Sequence, residues 1–205
     1  MKVKVCGISS ITELQTCVDQ GADFCGFILN YPKSHRFISI EKAKILTSFK
    51  KKKSKYVGVL VNPSLRELEN FSKLELDYFQ IYGSYNDKQI LDIKNKFGKK
   101  IIVAIQVKKK DDVKIYKNIK NTADIILWDS AGMERSIGWN YDWINSVPKN
   151  ITKMLAGNID IYKLEQISKL TDIVDVSGAL ETNKVKDVIK IKKFLKKVKQ
   201  INDKD

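Results

Sequence analysis

The chain has 205 residues, of which 43% are hydrophobic and 30% are charged, and its formal net charge at pH 7 is +14. A chain of this length can bury one well-packed core, so we expect a single domain over residues 1–205. Its longest apolar stretches are strand-sized, far short of the roughly 20 residues that a membrane-spanning helix needs. We therefore expect neither a targeting segment nor a membrane partner.

Lysine carries almost all of the positive charge. Arg36, Arg66 and Arg135 are the only arginines among 38 basic residues, and the lysines cluster in runs such as Lys50–Lys53 and Lys192–Lys199. Such runs are typical of solvated helix faces and helix ends. With no arginine patch and no nucleic-acid-binding motif, no nucleic acid is expected as a partner. The positive field would attract a phosphorylated, acidic small molecule, and it favours a monomer, with a homodimer as the alternative.

The cysteines Cys6, Cys17 and Cys25 form an odd set without a C-x-x-C pair. His35 is the only histidine that could help them to hold a metal. This pattern predicts reduced thiols in a cytoplasmic protein and no metal site.

Short β-rich apolar segments alternate with amphipathic segments along the whole chain, which is typical of βα units around a parallel sheet. Each interval between strands has room for one helix and two loops. Eight such units predict a single-domain (β/α)8 TIM barrel of the α/β class. The strands are predicted to end near Cys6, Leu29, Val61, Ile81, Ile105, Trp128, Leu155 and Val176.

Helices are predicted between these strands, several of them opening on Ser, Asn or Asp, whose side chains satisfy the free amides of a first turn. The predicted helices are Ile11–Gln20 with Ser9 or Ser10 as cap, Ser39–Lys53, Ser64–Lys73, Asn86–Phe97, Asp111–Lys117, Tyr141–Ser146, Ile161–Ser168 and Lys184–Lys197. A doubly wound open sheet is the alternative architecture. Its dinucleotide-binding form lacks support, because no G-x-G-x-x-G follows the first strand.

Two chemically active side chains follow strand ends, where the active sites of (β/α)8 barrels lie. Cys6 ends the first strand and is followed at once by Gly7, and Asp129 ends the sixth. A thiol and a carboxyl group at one barrel mouth predict acid–base chemistry. The alternatives are a cysteine that packs as a small hydrophobe, as we expect of Cys17 and Cys25, and an aspartate that caps a helix.

The last two strand ends carry small residues. Backbone amides can approach an anion closely at Ala156-Gly157-Asn158 and at Ser177-Gly178-Ala179, which predicts a phosphate site. Tight turn geometry is the alternative explanation for these residues.

Arg36 lies in a long segment after the second strand, and its planar guanidinium group matches a carboxylate with two hydrogen bonds. We therefore predict that Arg36 binds an acidic substrate, with a surface ion pair as the alternative. The neighbouring His35 has no evident partner and is expected to face solvent.

Taken together, these residues resemble the phosphoribosylanthranilate isomerase family of tryptophan biosynthesis, over nearly the whole chain. The clearest motifs are Val3-Lys4-Val5-Cys6-Gly7-Ile8, Tyr31-Pro32-Lys33-Ser34 with Arg36, Val57-Gly58-Val59 with Val61-Asn62, Leu127-Trp128-Asp129-Ser130, Leu155-Ala156-Gly157, and Val174-Asp175-Val176-Ser177 with Glu181.

The resemblance implies an Amadori rearrangement of N-(5-phosphoribosyl)anthranilate to 1-(2-carboxyphenylamino)-1-deoxyribulose 5-phosphate, without a cofactor. By the same resemblance, Cys6 is the general base, Asp129 the general acid and Arg36 the ligand of the anthranilate carboxylate. The residues implied in phosphate binding are Gly157, Asn158, Ser177 and Gly178.

The chain also departs from the family pattern. Tyr82 stands where the family usually has a histidine, and the glycine-rich sixth loop of the family is replaced by residues 130–138. Within that loop, Arg135 is a candidate to compensate for the lost glycines. Asn158 replaces a glycine, and at Ser177-Gly178-Ala179 the glycine is shifted by one position.

Other activities remain as alternatives. The sister isomerase of histidine biosynthesis performs the same rearrangement but has an aspartate where Cys6 stands, and indole-glycerol-phosphate synthase needs strand-borne lysines without evident counterparts here. An isomerase of a related phosphoribosyl amine, or a barrel that binds phosphorylated molecules without turnover, would fit the altered loops.

Overall fold

A computed structural model describes residues 1–132 and 137–204. Eight parallel strands follow one another around a closed barrel, in which β8 pairs with β1. The predicted (β/α)8 barrel is thereby confirmed, and the alternative prediction of a doubly wound open sheet is wrong. The strands are β1 (Lys2–Cys6), β2 (Phe24–Ile28), β3 (Lys55–Val61), β4 (Tyr78–Tyr82), β5 (Lys100–Val107), β6 (Ile125–Ser130), β7 (Lys153–Leu155) and β8 (Ile173–Val176).

Six α-helices surround the described part of the barrel, with shorter 3₁₀ helices between some of them. The α-helices are α1 (Ile11–Gln20), α2 (Ile40–Thr47), α3 (Leu65–Ser72), α4 (Asp87–Phe97), α5 (Leu164–Ile167) and α6 (Val188–Asn202). In α1 the cap is Ser10, whose side chain accepts from the backbone N–H of Glu13 while the Glu13 carboxylate accepts from the N–H of Ser10. This reciprocal pair satisfies two amides that the helix itself leaves unpaired.

Two predicted helices have wrong bounds for identifiable reasons. The prediction Ser39–Lys53 is too long, because α2 ends at Thr47 and Lys52 takes a positive φ of 48° in the turn before β3. The prediction Lys184–Lys197 starts too early. A hairpin of β9 (Glu181–Thr182) and β10 (Val185–Lys186) precedes α6, and both of its turn residues have positive φ.

Three further predicted helices are shorter or of a different type. The segments predicted as Asp111–Lys117 and Tyr141–Ser146 form 3₁₀ helices, at Lys110–Asn118 and Tyr141–Ser146. The prediction Ile161–Ser168 reduces to the single turn of α5. A 3₁₀ helix has nearly the same spacing of apolar residues as an α-helix, so an apolar pattern over six to nine residues does not separate the two.

Apolar side chains fill both sides of the strands. Val3, Val5 and Phe27 lie in the large core between the barrel and its helices, whereas Phe24 and Leu127 belong to a smaller cluster inside the barrel. Because side chains alternate along a strand, Lys4 and Cys6 of β1 point to the interior, opposite to Val3 and Val5. Polar groups thus occupy the interior close to the C-terminal mouth. Within the described residues, no helix has both the length and the apolarity to cross a membrane.

Phe27 should anchor the outer core, because its ring is fully buried and packs edge-to-face on Tyr56 with ring centres 5.4 Å apart. The substitution Phe27→Ala is expected to lower the free energy of unfolding by roughly 3–5 kcal/mol, since it removes apolar burial and leaves a cavity. Urea denaturation at pH 7 measures this change. The control Ile45→Ala, at an exposed position of α2, should change stability by less than about 0.5 kcal/mol. An equal loss of free energy of unfolding in Phe27→Ala and Ile45→Ala would contradict the role of Phe27 in the outer core.

Candidate active site

A cavity of about 390 Å³ opens at the C-terminal ends of the strands. All seven side chains or turn residues that were predicted to form the site line this one cavity. They are Cys6, Arg36, Asp129, Gly157, Asn158, Ser177 and Gly178. The roles of these residues stay predictions, but their convergence from five separate strand ends is a property of the fold.

Cys6 occupies the end of β1 and is almost fully buried. Its surroundings depend on two glycines. Gly7 turns the chain out of the strand with a φ of 78°, and Gly26 lies opposite Cys6 in the pairing of β1 with β2. A Cβ atom at Gly26 would lie 3.1 Å from Sγ of Cys6 and 3.2 Å from Nζ of Lys4. Because Gly26 has no side chain, there is space for the Lys4 ammonium group and the Cys6 thiol to lie next to each other.

Lys4 and Asp175 form a buried ion pair beneath Cys6. Nζ of Lys4 donates to Oδ2 of Asp175 at 2.9 Å, and the two side chains are 0% and 6% exposed. Burial by itself opposes the charge on Lys4, but the carboxylate of Asp175 and the neighbouring thiol outweigh it and raise the pKa of Lys4. The ammonium group is thus charged at neutral pH.

The Cys6 thiol is subject to opposing influences. Burial raises its pKa, the positive charge and hydrogen bonding of Lys4 lower it, and the negative charge of Asp175 raises it again. The net result is a raised pKa, so the thiol form predominates at neutral pH. Lys4, together with the more weakly acting Lys186, favours the thiolate form of Cys6 in this buried position.

Asp129 is the penultimate residue of β6 and is half-buried. Its Oδ2 accepts from the hydroxyl group of Tyr82 at 2.8 Å, and its Oδ1 accepts from its neighbour's backbone N–H, that of Ser130, at 2.7 Å. Burial raises the pKa of Asp129 to about 6, although these two hydrogen bonds oppose the shift. A carboxyl group with this pKa is protonated far more often at neutral pH than an exposed aspartate.

Arg36 lines the cavity while one edge of its guanidinium group binds Glu181. Nε donates to Oε1 at 2.5 Å, and Nη2 donates to Oε2 at 3.0 Å. The side chains are 10% and 7% exposed, so this pair is not the surface ion pair of the alternative explanation. Lys186 also binds the Glu181 carboxylate. Although burial opposes its charge, the arginine hydrogen bonds and these cations lower the pKa of Glu181 to about 2.

His35 is exposed to solvent, as expected, and it also has a partner that the sequence did not indicate. Its Nε2 lies 3.2 Å from Oε2 of Glu181, which is 146 positions away in the sequence. The hairpin after β8 brings Glu181 to the segment that carries His35 and Arg36. This contact depends on the closure of the barrel and has no local sequence signal.

The ends of β7 and β8 form the other side of the cavity. Gly157 and Asn158 have positive φ values of 94° and 52°. The indole N–H of Trp139 donates to the carbonyl oxygen of Ala156 at 3.0 Å, and the hydroxyl group of Tyr141 donates to that of Gly157. These two hydrogen bonds hold the carbonyl groups of Ala156 and Gly157 and fix the turn at the cavity wall.

The β8 end leads directly into a helical turn. Gly178–Leu180 form one turn of 3₁₀ helix, whose first N–H groups have no partner within the turn. The Ser177 hydroxyl group donates to the carbonyl oxygen of Cys6 at 3.0 Å, which ties this turn to β1. Arg135, the candidate to compensate for the altered sixth loop, lies outside the described residues.

Four residues that shape this site have no role that was predicted from the sequence, namely Lys4, Asp175, Glu181 and Lys186. Lys4 and Asp175 carried one usable signal, since each is a charged residue at a strand position that alternates with apolar neighbours. Glu181 was part of a motif of the resemblance but had no role assigned to it, and Lys186 carried no signal. The described residues contain no cluster of three or more side chains that could hold a metal ion.

A closed (β/α)8 barrel with a thiol and a carboxyl group at its C-terminal mouth belongs to the class of barrel enzymes whose chemistry takes place at the strand ends. The sequence model of one family, described as N-(5'phosphoribosyl)anthranilate (PRA) isomerase, matches residues 3–197. The chain belongs to this family of isomerases.

Individual relatives match over their full length. N-(5'-phosphoribosyl)anthranilate isomerase of Streptococcus mutans is 34% identical over 206 residues, which cover 97% of this chain and 99% of the relative. A crystal structure from Thermotoga maritima, described as monomers of a dimeric phosphoribosylanthranilate isomerase, has a TM-score of 0.85 at 26% identity and covers 98% and 99% of the two chains. The expected monomer therefore stays a prediction for this chain.

A further crystal structure contains a ligand. It is described as phosphoribosyl anthranilate isomerase in complex with reduced 1-(o-carboxyphenylamino)-1-deoxyribulose 5-phosphate, and it superposes with a TM-score of 0.82 at 26% identity. The alignment covers 98% of this chain and 99% of that one.

The buried pair of Lys4 and Asp175 generates a stability prediction. Lys4→Met leaves the Asp175 carboxylate buried without its cation, so the free energy of unfolding should fall by roughly 3–5 kcal/mol in urea denaturation at pH 7. The double variant Lys4→Met/Asp175→Leu removes both charges and should recover most of the loss. Lys2→Met, at an exposed position of the same strand, is the matched control. A double variant no more stable than the single one would refute this account.

Proposed function

We propose that this chain catalyses the Amadori rearrangement of N-(5-phosphoribosyl)anthranilate to 1-(2-carboxyphenylamino)-1-deoxyribulose 5-phosphate, with Cys6 as general base and Asp129 as general acid. The observation that supports it most directly is the shared cavity. A thiol, a carboxyl group of raised pKa, an arginine and two glycine-containing turns line the same space. These are the groups required by a substrate with one carboxylate, one phosphate and a sugar between them.

The reaction would begin at Asp129. Its protonated carboxyl group donates to the ring oxygen of the ribose while the bond between that oxygen and C1′ breaks. The lone pair of the anthranilate nitrogen then forms a double bond to C1′, which gives an open-chain Schiff base and leaves Asp129 as a carboxylate. A pKa near 6 makes the acid a better proton donor at neutral pH than an ordinary aspartate.

Cys6 would act in the second step. Its thiolate removes the proton from C2′, and the electron pair of that C–H bond forms the C1′–C2′ double bond of an enolamine. The Schiff-base nitrogen recovers its lone pair in the same step. Transfer of the 2′-hydroxyl proton to C1′ then yields the ketone, so the rearrangement needs no outside oxidant or reductant.

The reaction needs Asp129 protonated and Cys6 ionised, and the buried charges of Lys4 and Asp175 affect both groups. Asp175 disfavours ionisation of Cys6 and of Asp129, whereas Lys4 favours the Cys6 thiolate. The required state, with Asp129 protonated and Cys6 ionised, is a minor population at neutral pH because the thiol pKa lies above that of the carboxyl group. Lys4 lowers the pKa of both Cys6 and Asp129 and Asp175 raises both, so the ion pair influences both protonation states that the reaction requires.

Substrate binding is proposed at the two ends of the cavity. Arg36, held on one edge by Glu181, would bind the anthranilate carboxylate. Backbone amides around Gly157, Asn158, Ser177 and Gly178 would bind the phosphate. The ligand in the related crystal structure is named with a carboxyphenyl group and a 5-phosphate, which agrees with a site of this kind.

The isomerase assay follows the fluorescence of freshly generated phosphoribosylanthranilate in phosphate-free buffer. The unsubstituted chain should remove the fluorescence faster than the spontaneous background, and Cys6→Ala should lower kcat by about 10²–10⁴-fold. Cys17→Ala is the matched control, because it makes the same change in a buried thiol of α1. Absence of enzyme-dependent turnover would refute the proposal, and full activity in Cys6→Ala would refute the assigned base.

Substitutions of Asp129 and of Arg36 should affect different kinetic parameters. Asp129→Asn should mainly lower kcat, by about 10²–10⁴-fold, because proton donation is expressed in the transition state. Arg36→Ala should mainly raise KM, because it removes binding that is present before the reaction. Arg66→Ala, on the exposed face of α3, is the control for loss of one positive charge. An unchanged KM in Arg36→Ala would exclude the carboxylate-binding role.

A further inference from the structure

Tyr82 ends β4 beside the cavity and is the partner of Asp129. Its hydroxyl group donates to Oδ2 of Asp129 at 2.8 Å, across 47 positions of sequence.

A neighbouring amide determines the direction of the tyrosine proton. Nε2 of Gln80, a fully buried residue two positions earlier on β4, donates to the hydroxyl oxygen of Tyr82 at 3.3 Å. A hydroxyl group has a single hydrogen and can accept with its lone pairs. With the amide donating to its oxygen, Tyr82 directs that hydrogen to Asp129.

Both oxygens of Asp129 are therefore held from the protein side. Tyr82 donates to Oδ2, and Ser130 donates to Oδ1 through its backbone N–H at 2.7 Å. Two fixed donors define the plane of the carboxyl group, and both favour its charged form against the effect of burial. Of the two, only the Tyr82 donor can be removed by a side-chain substitution.

We propose that Tyr82 is a positioning residue that fixes both the orientation and the charge state of the Asp129 carboxyl group. This inference rests on the proposed function, in which Asp129 is the general acid, and it names the residue that orients this acid. A phenol suits the task because burial raises its pKa well above the usual range, so it stays a neutral donor while Asp129 titrates. An imidazole would change its own charge between about pH 5 and 8 and titrate together with the acid.

The test is a titration of the Asp129 carboxyl carbon by ¹³C NMR in protein labelled at aspartate. Asp129→Asn identifies the signal by its absence. The midpoint in the unsubstituted chain is expected at about pH 6. In Tyr82→Phe it should move upward by about one pH unit, because a hydrogen bond to the charged form is lost. An unchanged midpoint in Tyr82→Phe would overturn the inference.

Tyr78→Phe is the matched control. It removes a hydroxyl group from the same strand, but at the opposite end, where Tyr78 packs on Phe24 with ring centres 5.6 Å apart. The Asp129 midpoint should not move in this variant. A shift equal to that of Tyr82→Phe would indicate a general loosening of β4 and would likewise overturn the inference.

A second variant tests the donor itself. Tyr82→His can again donate to the carboxylate, so its Asp129 midpoint should lie below that of Tyr82→Phe, and equal midpoints would refute the role of the donor. In the isomerase assay, Tyr82→Phe should lower kcat by about tenfold with little change in KM, since orientation of the acid is lost. The titration does not depend on turnover. It therefore tests the effect of Tyr82 on Asp129 even if the chain does not catalyse the proposed isomerisation.

Discussion

The ion pair between Lys4 and Asp175 is the interaction on which the rest of the site depends. It lies where β1 and β8 close the barrel, with the two residues directly opposite each other in the strand pairing. A slip of β1 by one residue against β8 would turn Lys4 towards the apolar core between the sheet and the helices and leave Asp175 inside the barrel without its partner, at a cost of several kcal/mol for each unpaired ion. The pair therefore favours one closure register, and that register brings the carboxylate of Asp175 close enough to raise the pKa of the Cys6 thiol.

The mouth of the barrel combines groups whose charges restrain one another. Asp175 disfavours a negative charge on Cys6 and on Asp129, and Lys4 counteracts it at the thiol. At the other edge, the largely buried carboxylate of Glu181 binds both Arg36 and Lys186. In an environment of low polarity these interactions act over several ångströms with little screening. The site is thus a set of coupled charges, and a substitution at any one of them will affect the others.

Hydrogen bonds to backbone carbonyl groups also fix the geometry of the cavity wall. Trp139 and Tyr141 hold the carbonyl groups at the β7 end, and Ser177 links the β8 end to the carbonyl group of Cys6. These contacts join the end that would bind phosphate to the strand that carries the thiol. Such fixed geometry matters for the proposed chemistry, because proton transfer requires acid, base and sugar within hydrogen-bonding reach of one another.

The sequence by itself determined the alternation of strands and helices, the barrel, and the placement of Cys6, Asp129 and the glycine turns at strand ends. These features follow from local periodicity and from the rule that parallel strands end at one face. Only the tertiary structure decided the partners, since Lys4 meets Asp175 across 171 positions and Arg36 meets Glu181 across 145. Closure of the barrel creates these contacts, and no local pattern encodes which charged side chains will face each other. The bounds of α2 and α6 likewise depended on turns with positive φ, which their lysine-rich segments did not reveal.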